Sequence, residues 1–237
     1  MIRTRRRTQI GSELRALVMR FLDVDASYVQ LAWLAQAARR SGGASWIQLA
    51  KTADRRLHHA MQSRFERERV RAVKVLVALL PESWAIIQRW LRAGADPRKH
   101  EVLFTLFCFL DDVPLRPGAE ALRGAVLKLI EEFLIQVRKD PKLAAWMAGD
   151  LLGDHWELQE SLPILFRAAK GARFVAGRKA ALHGLAHALS RTKGSSRSKI
   201  RRVLAEVQEA DRSATVRQES EFVLSGRDPC ARPASRT

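Results

Sequence analysis

The stretch that decides the fold is GRKAALHGLAHALSRTKGSSRSKIRRVLAEVQEADRSATVRQESEFVL, residues 177–224. Its apolar residues recur every three to four positions, and nothing in it alternates apolar and polar residues as a half-buried strand does. Gly194 and Gly226 stand where two helices are expected to end. The stretch and its flanks therefore predict three consecutive helices, over roughly 173–191, 196–210 and 213–225.

The same helical period runs through nearly all of the chain, and no segment shows a β-branched run bounded by a hairpin signal. Asp96-Pro97 and Asp140-Pro141 each place an N-cap acceptor before a proline in the first helical position. Gly153 and Gly171 are expected at helix ends. We predict an all-α protein with nine further helices, over roughly 12–22, 26–40, 44–62, 65–80, 82–93, 97–111, 118–138, 141–152 and 155–170.

A weak repeat underlies these helices. The two Asp-Pro steps are 44 residues apart, and Arg178 and Arg217, which open apolar helices, are 39 apart. Periods near 40 residues with two helices each are typical of stacked helical-hairpin solenoids. We expect both arginines to have structural roles, with Asp211 as a candidate partner for Arg178.

Three segments resemble the second helix of HEAT repeats: ERVRAVKVLVALL (68–80), GRKAALHGLAHAL (177–189) and DRSATVRQESEFVL (211–224). The family pattern is an Asp, then Val-Arg, then Ala and a Leu or Val face. The first segment lacks the Asp, the second has Gly177 in place of Val, and the third has Ser220 where Ala is usual. The resemblance implies an α-solenoid of about six antiparallel helix pairs whose concave surface holds an extended partner.

The chain divides into three parts by composition. Residues 1–11 carry Arg3, Arg5, Arg6 and Arg7 and predict a basic, flexible arm, which either follows a phosphate backbone or is simply an unstructured terminus. Residues 12–226 predict a single HEAT-like solenoid domain. Residues 227–237 have no apolar period and predict a disordered tail.

Charge is the main functional signal. The chain has a formal net charge of +17, and its 45 residues from Ser161 to Ala205 contain eleven Lys and Arg but no Asp or Glu. Folded surfaces usually mix the two signs, so this basic block suggests a counter-charge on another molecule. Nucleic acid is the commonest soluble partner of such surfaces, and an anionic membrane is the next. An Arg-rich composition without any anionic ligand is the remaining interpretation.

One helix concentrates this signal. On the predicted helix 173–191, Lys179, His183, His187 and Arg191 lie four residues apart, opposite an apolar face. The loop that follows is rich in Lys, Arg and Ser, which bind phosphate oxygens. The alternative is a solvated helix face followed by a flexible loop. The predicted nucleic-acid or anion-binding residues are Arg173, Lys179, His183, His187, Arg191, Lys193, Arg197, Lys199, Arg201 and Arg202.

His183 and His187 also have the spacing that can chelate a metal from one helix turn. Near them in sequence no Asp, Glu or Cys offers an obvious third ligand. We therefore predict no metal site and no cofactor.

The most consistent function is non-catalytic binding of a polyanion, preferably DNA or RNA. The alternatives are a protein–protein scaffold with an acidic partner and a HEAT-like DNA glycosylase acting on alkylated bases. The glycosylase resemblance is one of architecture, with Trp146 and Trp156 near Asp150, and it assigns no catalytic residue. Whether the chain is an enzyme stays open. No apolar run approaches the ~18 residues of a membrane span, and two cysteines predict no disulfide framework, which fits a cytoplasmic protein.

Overall fold

The computed structural model describes residues 2–41, 43–62, 66–92, 120–135 and 142–227. Every regular element in these ranges is helical, and none of them contains a strand, which confirms the all-α prediction. Within the same ranges no helix combines the length and apolar character needed to cross a membrane. The predicted helix 97–111, both Asp-Pro steps and the tail beyond Arg227 lie outside the described residues.

The contacts of the chain group into two compact units, Met1–Arg123 and Gly124–Thr237. The described helices of the first unit are α1 (Ile2–Asp23), α2 (Tyr28–Ser41), α3 (Gly43–Ala60), α4 (Glu66–Ala78) and α5 (Trp84–Arg92). Helix α1 begins at Ile2 and so includes most of the predicted basic arm. The flexibility of residues 1–11 and a single domain over 12–226 stay predictions.

Helices α1 to α4 of the first unit pack on one another around fully buried Val18, Leu34, Leu57 and Val73. A capping box begins α2, because the Ser27 N–H donates to Gln30 Oε1 (2.8 Å) and the Gln30 N–H donates to Ser27 Oγ (3.3 Å).

In the second unit one helix is central. The helices are α6 (Glu120–Ile135), which belongs to this unit from Gly124 onward, α7 (Lys142–Asp150), α8 (Leu158–Gly171), α9 (Val175–Arg191), α10 (Gly194–Ala210) and α11 (Ala214–Leu224). A π-helical turn (Leu151–His155) follows α7 directly. Helix α9 packs against α7, the π turn, α8 and α11. The connections after α8, α9 and α10 are only two or three residues long, so neighbours along the chain are neighbours in space.

The backbones of α7 and α9 touch because both helices carry glycine at the contact. A Cβ atom added to Gly149 would lie 2.2 Å from the Ala180 carbonyl oxygen, and one added to Gly184 would lie 2.4 Å from the Gly149 carbonyl oxygen. In the π turn, a Cβ on Gly153 would lie 2.3 Å from the Gly184 oxygen. These distances are far below any real Cβ contact, so only glycine permits this approach.

Two sequence predictions about helix ends are wrong. Gly153 lies inside the π turn, which carries the helical path five residues beyond α7. Gly194 is the first residue of α10, with φ of +60°, a value that glycine adopts without the Cβ penalty of other residues. Gly171, by contrast, is the last residue of α8, and Gly226 lies two residues after α11, as predicted.

The predicted two-sided character of helix 173–191 is only partly right: Leu182, Leu185 and Leu189 of its apolar face are buried and Arg191 of the opposite face is exposed. His183, expected on the outer face, is completely buried, whereas Phe174 and Val175 of the expected apolar face are exposed. The physical reason is that α9 is surrounded by other helices, so most of its circumference is interior. The structural role of Arg178 is confirmed: its Nε lies 2.7 Å from Asp211 Oδ2, and both side chains are buried.

Candidate anion-binding pocket and histidine–aspartate cluster

Part of the counter-charge of the basic block comes from the chain itself. Four of its eleven cations form ion pairs with carboxylates that lie outside residues 161–205. The pairs are Arg167–Glu131, Lys170–Glu206, Arg178–Asp211 and Lys179–Glu219. For these four residues the inference of an external counter-charge is wrong, because tertiary packing supplies the carboxylates that the sequence window lacks.

Three further arginines of the block bind backbone carbonyls at helix ends. Arg191 donates to the Gly153 oxygen (2.6 Å), Arg197 to the Leu189 oxygen (2.7 Å) and Arg201 to the Leu224 oxygen (3.4 Å). Carbonyl groups at helix ends have no partner within the helix and carry partial negative charge. These hydrogen bonds orient each side chain. Because a guanidinium has five N–H donors, each arginine still has donors for a ligand.

Arg197 and Arg201 line a pocket of about 340 Å³ in the second unit. Arg227, just beyond α11, is the third arginine on its wall, and none of the described residues that line it is an Asp or Glu. The lining residues are Ala186, His187, Leu189, Ser190, Arg197, Arg201, Val223, Gly226 and Arg227. We call this the arginine pocket.

The remaining predicted cations do not line the arginine pocket. Lys193, Lys199 and Arg202 are exposed and form no ion pair with any described carboxylate. The guanidinium of Arg173 lies 5.4 Å from the centre of the Phe174 ring. Arg173 precedes α9, and at 1.5 Å per residue it is about 25 Å along the helix from its C-terminal end. The structure thus brings together only part of the predicted set: His187, Arg197 and Arg201.

Beside the pocket, α7, the π turn and α9 bring two histidines and two aspartates together. His183 Nε2 lies 2.6 Å from Asp150 Oδ1 and 3.1 Å from His187 Nε2. His187 Nε2 lies 3.4 Å from the same Asp150 oxygen, and His187 Nδ1 lies 2.9 Å from Asp154 Oδ2. We call these four residues the histidine–aspartate cluster.

The cluster corrects the sequence-based statement that no carboxylate accompanies His183 and His187. Asp150, 33 residues away in the chain, supplies a ligand atom that lies within 4.8 Å of theirs. A signal was present in the sequence: GDLLGD (149–154) and HGLAH (183–187) share a four-residue spacing and small residues. Each motif forms about one helical turn with glycine at the contact between the helices. The two segments could therefore have been paired with each other from the sequence.

The two tryptophans that suggested a glycosylase have separate environments. The Trp146 ring packs on the His183 ring, with centroids 3.7 Å apart and planes at 31°. Trp156 is 2% exposed and its Nε1 donates to Glu160 Oε2 at 2.7 Å. A base-stacking site needs an accessible aromatic face, and Trp156 does not offer one.

Comparison of the chain with protein-family models, with curated proteins and with solved structures gave no match.

Proposed function

We propose that this protein binds nucleic acid through the phosphate backbone, with the arginine pocket as the main point of contact. The observation that carries the proposal is the meeting of Arg197, Arg201 and Arg227 around one pocket without an acidic residue on its described wall. Guanidinium groups match phosphate oxygens in a bidentate manner, which makes Arg the preferred residue for this recognition.

The hydrogen bonds of the pocket favour a preformed site. Arg197 and Arg201 are each held by a helix-end carbonyl, so less side-chain entropy is lost when they bind an anion. Ser190 and His187 add a hydroxyl and an imidazole to the wall. Exposed Lys193, Lys199 and Arg202 alternate in the sequence with Arg197 and Arg201 and would increase the attraction of a long polyanion.

A HEAT-like solenoid is the architecture that we propose for this function. In its support, α8 packs on α9 and α10 packs on α11, with short connections within each pair. Arg178 and Arg217, near the starts of α9 and α11, both bind Asp211, through its side chain and its carbonyl oxygen respectively. Repeated use of an arginine at the start of alternate helices is consistent with a helical-hairpin repeat.

Fluorescence anisotropy of the full chain with labelled duplex DNA, duplex RNA and a poly-glutamate peptide tests the proposal. We expect both nucleic acids to bind, with an affinity that falls steeply between 50 and 200 mM salt because counterion release drives binding. We expect the acidic peptide to compete weakly. Tight binding of the peptide without binding of either nucleic acid at low salt would refute the proposal and favour the protein-scaffold alternative.

A further inference from the structure

We infer that Asp150, His183 and His187 form a binding site for a divalent transition-metal ion of the Zn²⁺ class. The inference rests on the histidine–aspartate cluster, which shares His187 with the arginine pocket, and it does not require nucleic-acid binding. Imidazole nitrogen and carboxylate oxygen are ligands that Zn²⁺ uses commonly. Two histidines and one acidic residue form a recurrent three-ligand set for zinc sites that keep one position open.

The distances between the ligand atoms fit this ion. With metal–ligand bonds of 2.0–2.1 Å, tetrahedral geometry separates neighbouring ligand atoms by about 3.3–3.4 Å. The two Nε2 atoms are 3.1 Å apart, and His187 Nε2 is 3.4 Å from Asp150 Oδ1. The third separation, 2.6 Å between His183 Nε2 and Asp150 Oδ1, needs to widen by roughly 0.7 Å to match the tetrahedral value. Asp150 can supply that movement because its side chain is 42% exposed.

The two ring nitrogens of His187 face different carboxylates, Nε2 that of Asp150 and Nδ1 that of Asp154. An imidazole that binds a metal through Nε2 carries its N–H on Nδ1, and His187 Nδ1 lies 2.9 Å from Asp154 Oδ2, an acceptor for that N–H. Its Nε2 lone pair is then directed at the cluster. His183 Nε2, His187 Nε2 and Asp150 Oδ1 then form a group of three mutually close ligand atoms. A single metal ion would satisfy all three atoms at once.

Asp154 has the position of an outer-sphere partner. Histidines that bind metals usually donate their other N–H to a carboxylate, which fixes the tautomer and the ring orientation. The π turn places Asp154 one turn beyond Asp150, and π turns are frequent at functional sites. We assign Asp154 as a positioning residue for His187.

The surroundings hold the site in shape and leave it accessible from one side. Gly149 and Gly184 fix the spacing of the two helices that carry the ligands, and Trp146 packs on the His183 ring. His183 is fully buried, whereas the His187 and Asp150 side chains are 20% and 42% exposed. Three protein ligands with one open side leave the fourth position for water.

The test is isothermal titration of the full chain, first dialysed against a chelator, with Zn²⁺ alone. We expect one equivalent to bind. Asp154→Asn should weaken binding about 10–100-fold, and Asp150→Asn and His187→Gln should weaken it at least as much. His59→Gln changes an exposed histidine of the first unit and should leave the affinity unchanged. Co²⁺ in place of Zn²⁺ should give visible absorption bands of a tetrahedral site, which are lost in His187→Gln.

Circular dichroism of each variant shows whether it keeps its helices. His187→Gln changes a partly exposed position, so we expect it to fold, and it remains a usable ligand variant if Asp150→Asn does not fold. Two results would overturn the inference: a parent protein that takes up no Zn²⁺ at micromolar concentration, or folded ligand variants that bind it as the parent does. Because these titrations contain no nucleic acid, failure of this site is distinguishable from failure of the proposed function.

Discussion

Replacing Asp211 by alanine should destabilise the second unit more than any exposed charge change. Asp211 Oδ2 lies 2.7 Å from Arg178 Nε, and its Oδ1 accepts the Ser213 N–H at 2.7 Å. The two side chains of the ion pair are only 4% and 5% exposed. Alanine would leave the arginine charge buried, with the Ala172 carbonyl oxygen, at 2.8 Å, as its closest remaining partner.

The expected cost is about 3–5 kcal/mol in the free energy of unfolding, the usual result of removing one partner from a buried ion pair. The matched control is Glu206→Gln, which breaks the pair between Lys170 and Glu206, both 47% exposed. Solvent-exposed pairs of this kind contribute about 1 kcal/mol or less. Replacing both buried partners, with Arg178→Met and Asp211→Leu, should recover much of the lost stability, because no charge is then left unpaired in the interior.

The assay is urea unfolding of the full chain, followed by far-ultraviolet circular dichroism and by hydrogen exchange of peptides from α9 to α11. Asp211→Ala should lower the unfolding midpoint and reduce protection in these peptides, while Glu206→Gln should do neither to a comparable degree. If Asp211→Ala costs no more than Glu206→Gln, the pair does not stabilise the contact between α9 and α11, and the reasoning is wrong.

Two other changes test the helix contact and the first unit. Gly184→Ala should lower the free energy of unfolding by about 1–3 kcal/mol and weaken Zn²⁺ binding, since its Cβ would lie 2.4 Å from the Gly149 oxygen. Thermal unfolding should show no such loss for Gly171→Ala, because a Cβ atom there would have no atom of the described residues within 4 Å. A hydrogen bond from Arg71 lowers the pKa of Asp25, so Asp25→Asn should reduce stability above about pH 4 by less than about 1 kcal/mol. The difference in stability between the parent and Asp25→Asn should disappear as the pH falls through the pKa of Asp25 in the folded protein. A difference that grows in acid would contradict this prediction.

Helix positions were readable from the sequence because helical periodicity and its end signals are local. The predicted 173–191 and 213–225 correspond to Val175–Arg191 and Ala214–Leu224. What failed was the exposure predicted for part of α9, since other helices cover most of the circumference of this helix. His183 is the clearest case, as its ring is buried with Nε2 2.6 Å from Asp150 Oδ1.

The candidate site was harder to predict because it depends on tertiary contacts. Asp150 meets His183 only because glycine lets two helices touch, and the shared spacing of residues 149–154 and 183–187 indicates that pairing only when the two distant motifs are compared. The inference of an external counter-charge for the basic block was partly wrong for the same reason. Glu131 and Glu219 neutralise two of its cations, from 36 and 40 residues away in the sequence. The charge counted over a stretch of sequence describes only its composition. The electrostatic potential at a site depends on the side chains that the folded structure brings together there.

Removal of the arginine pocket tests the proposed function most directly. The triple variant Arg197→Gln, Arg201→Gln and Arg227→Gln is compared with the triple variant Lys193→Gln, Lys199→Gln and Arg202→Gln, which removes the same charge outside the pocket. Duplex DNA binding is measured by anisotropy over a salt series. The pocket variant should bind DNA more weakly. Its slope of log affinity against log salt should be less steep than that of the parent by up to about 2.7, or 0.9 for each phosphate contact. Equal losses in the two variants, or none in either, would contradict the account.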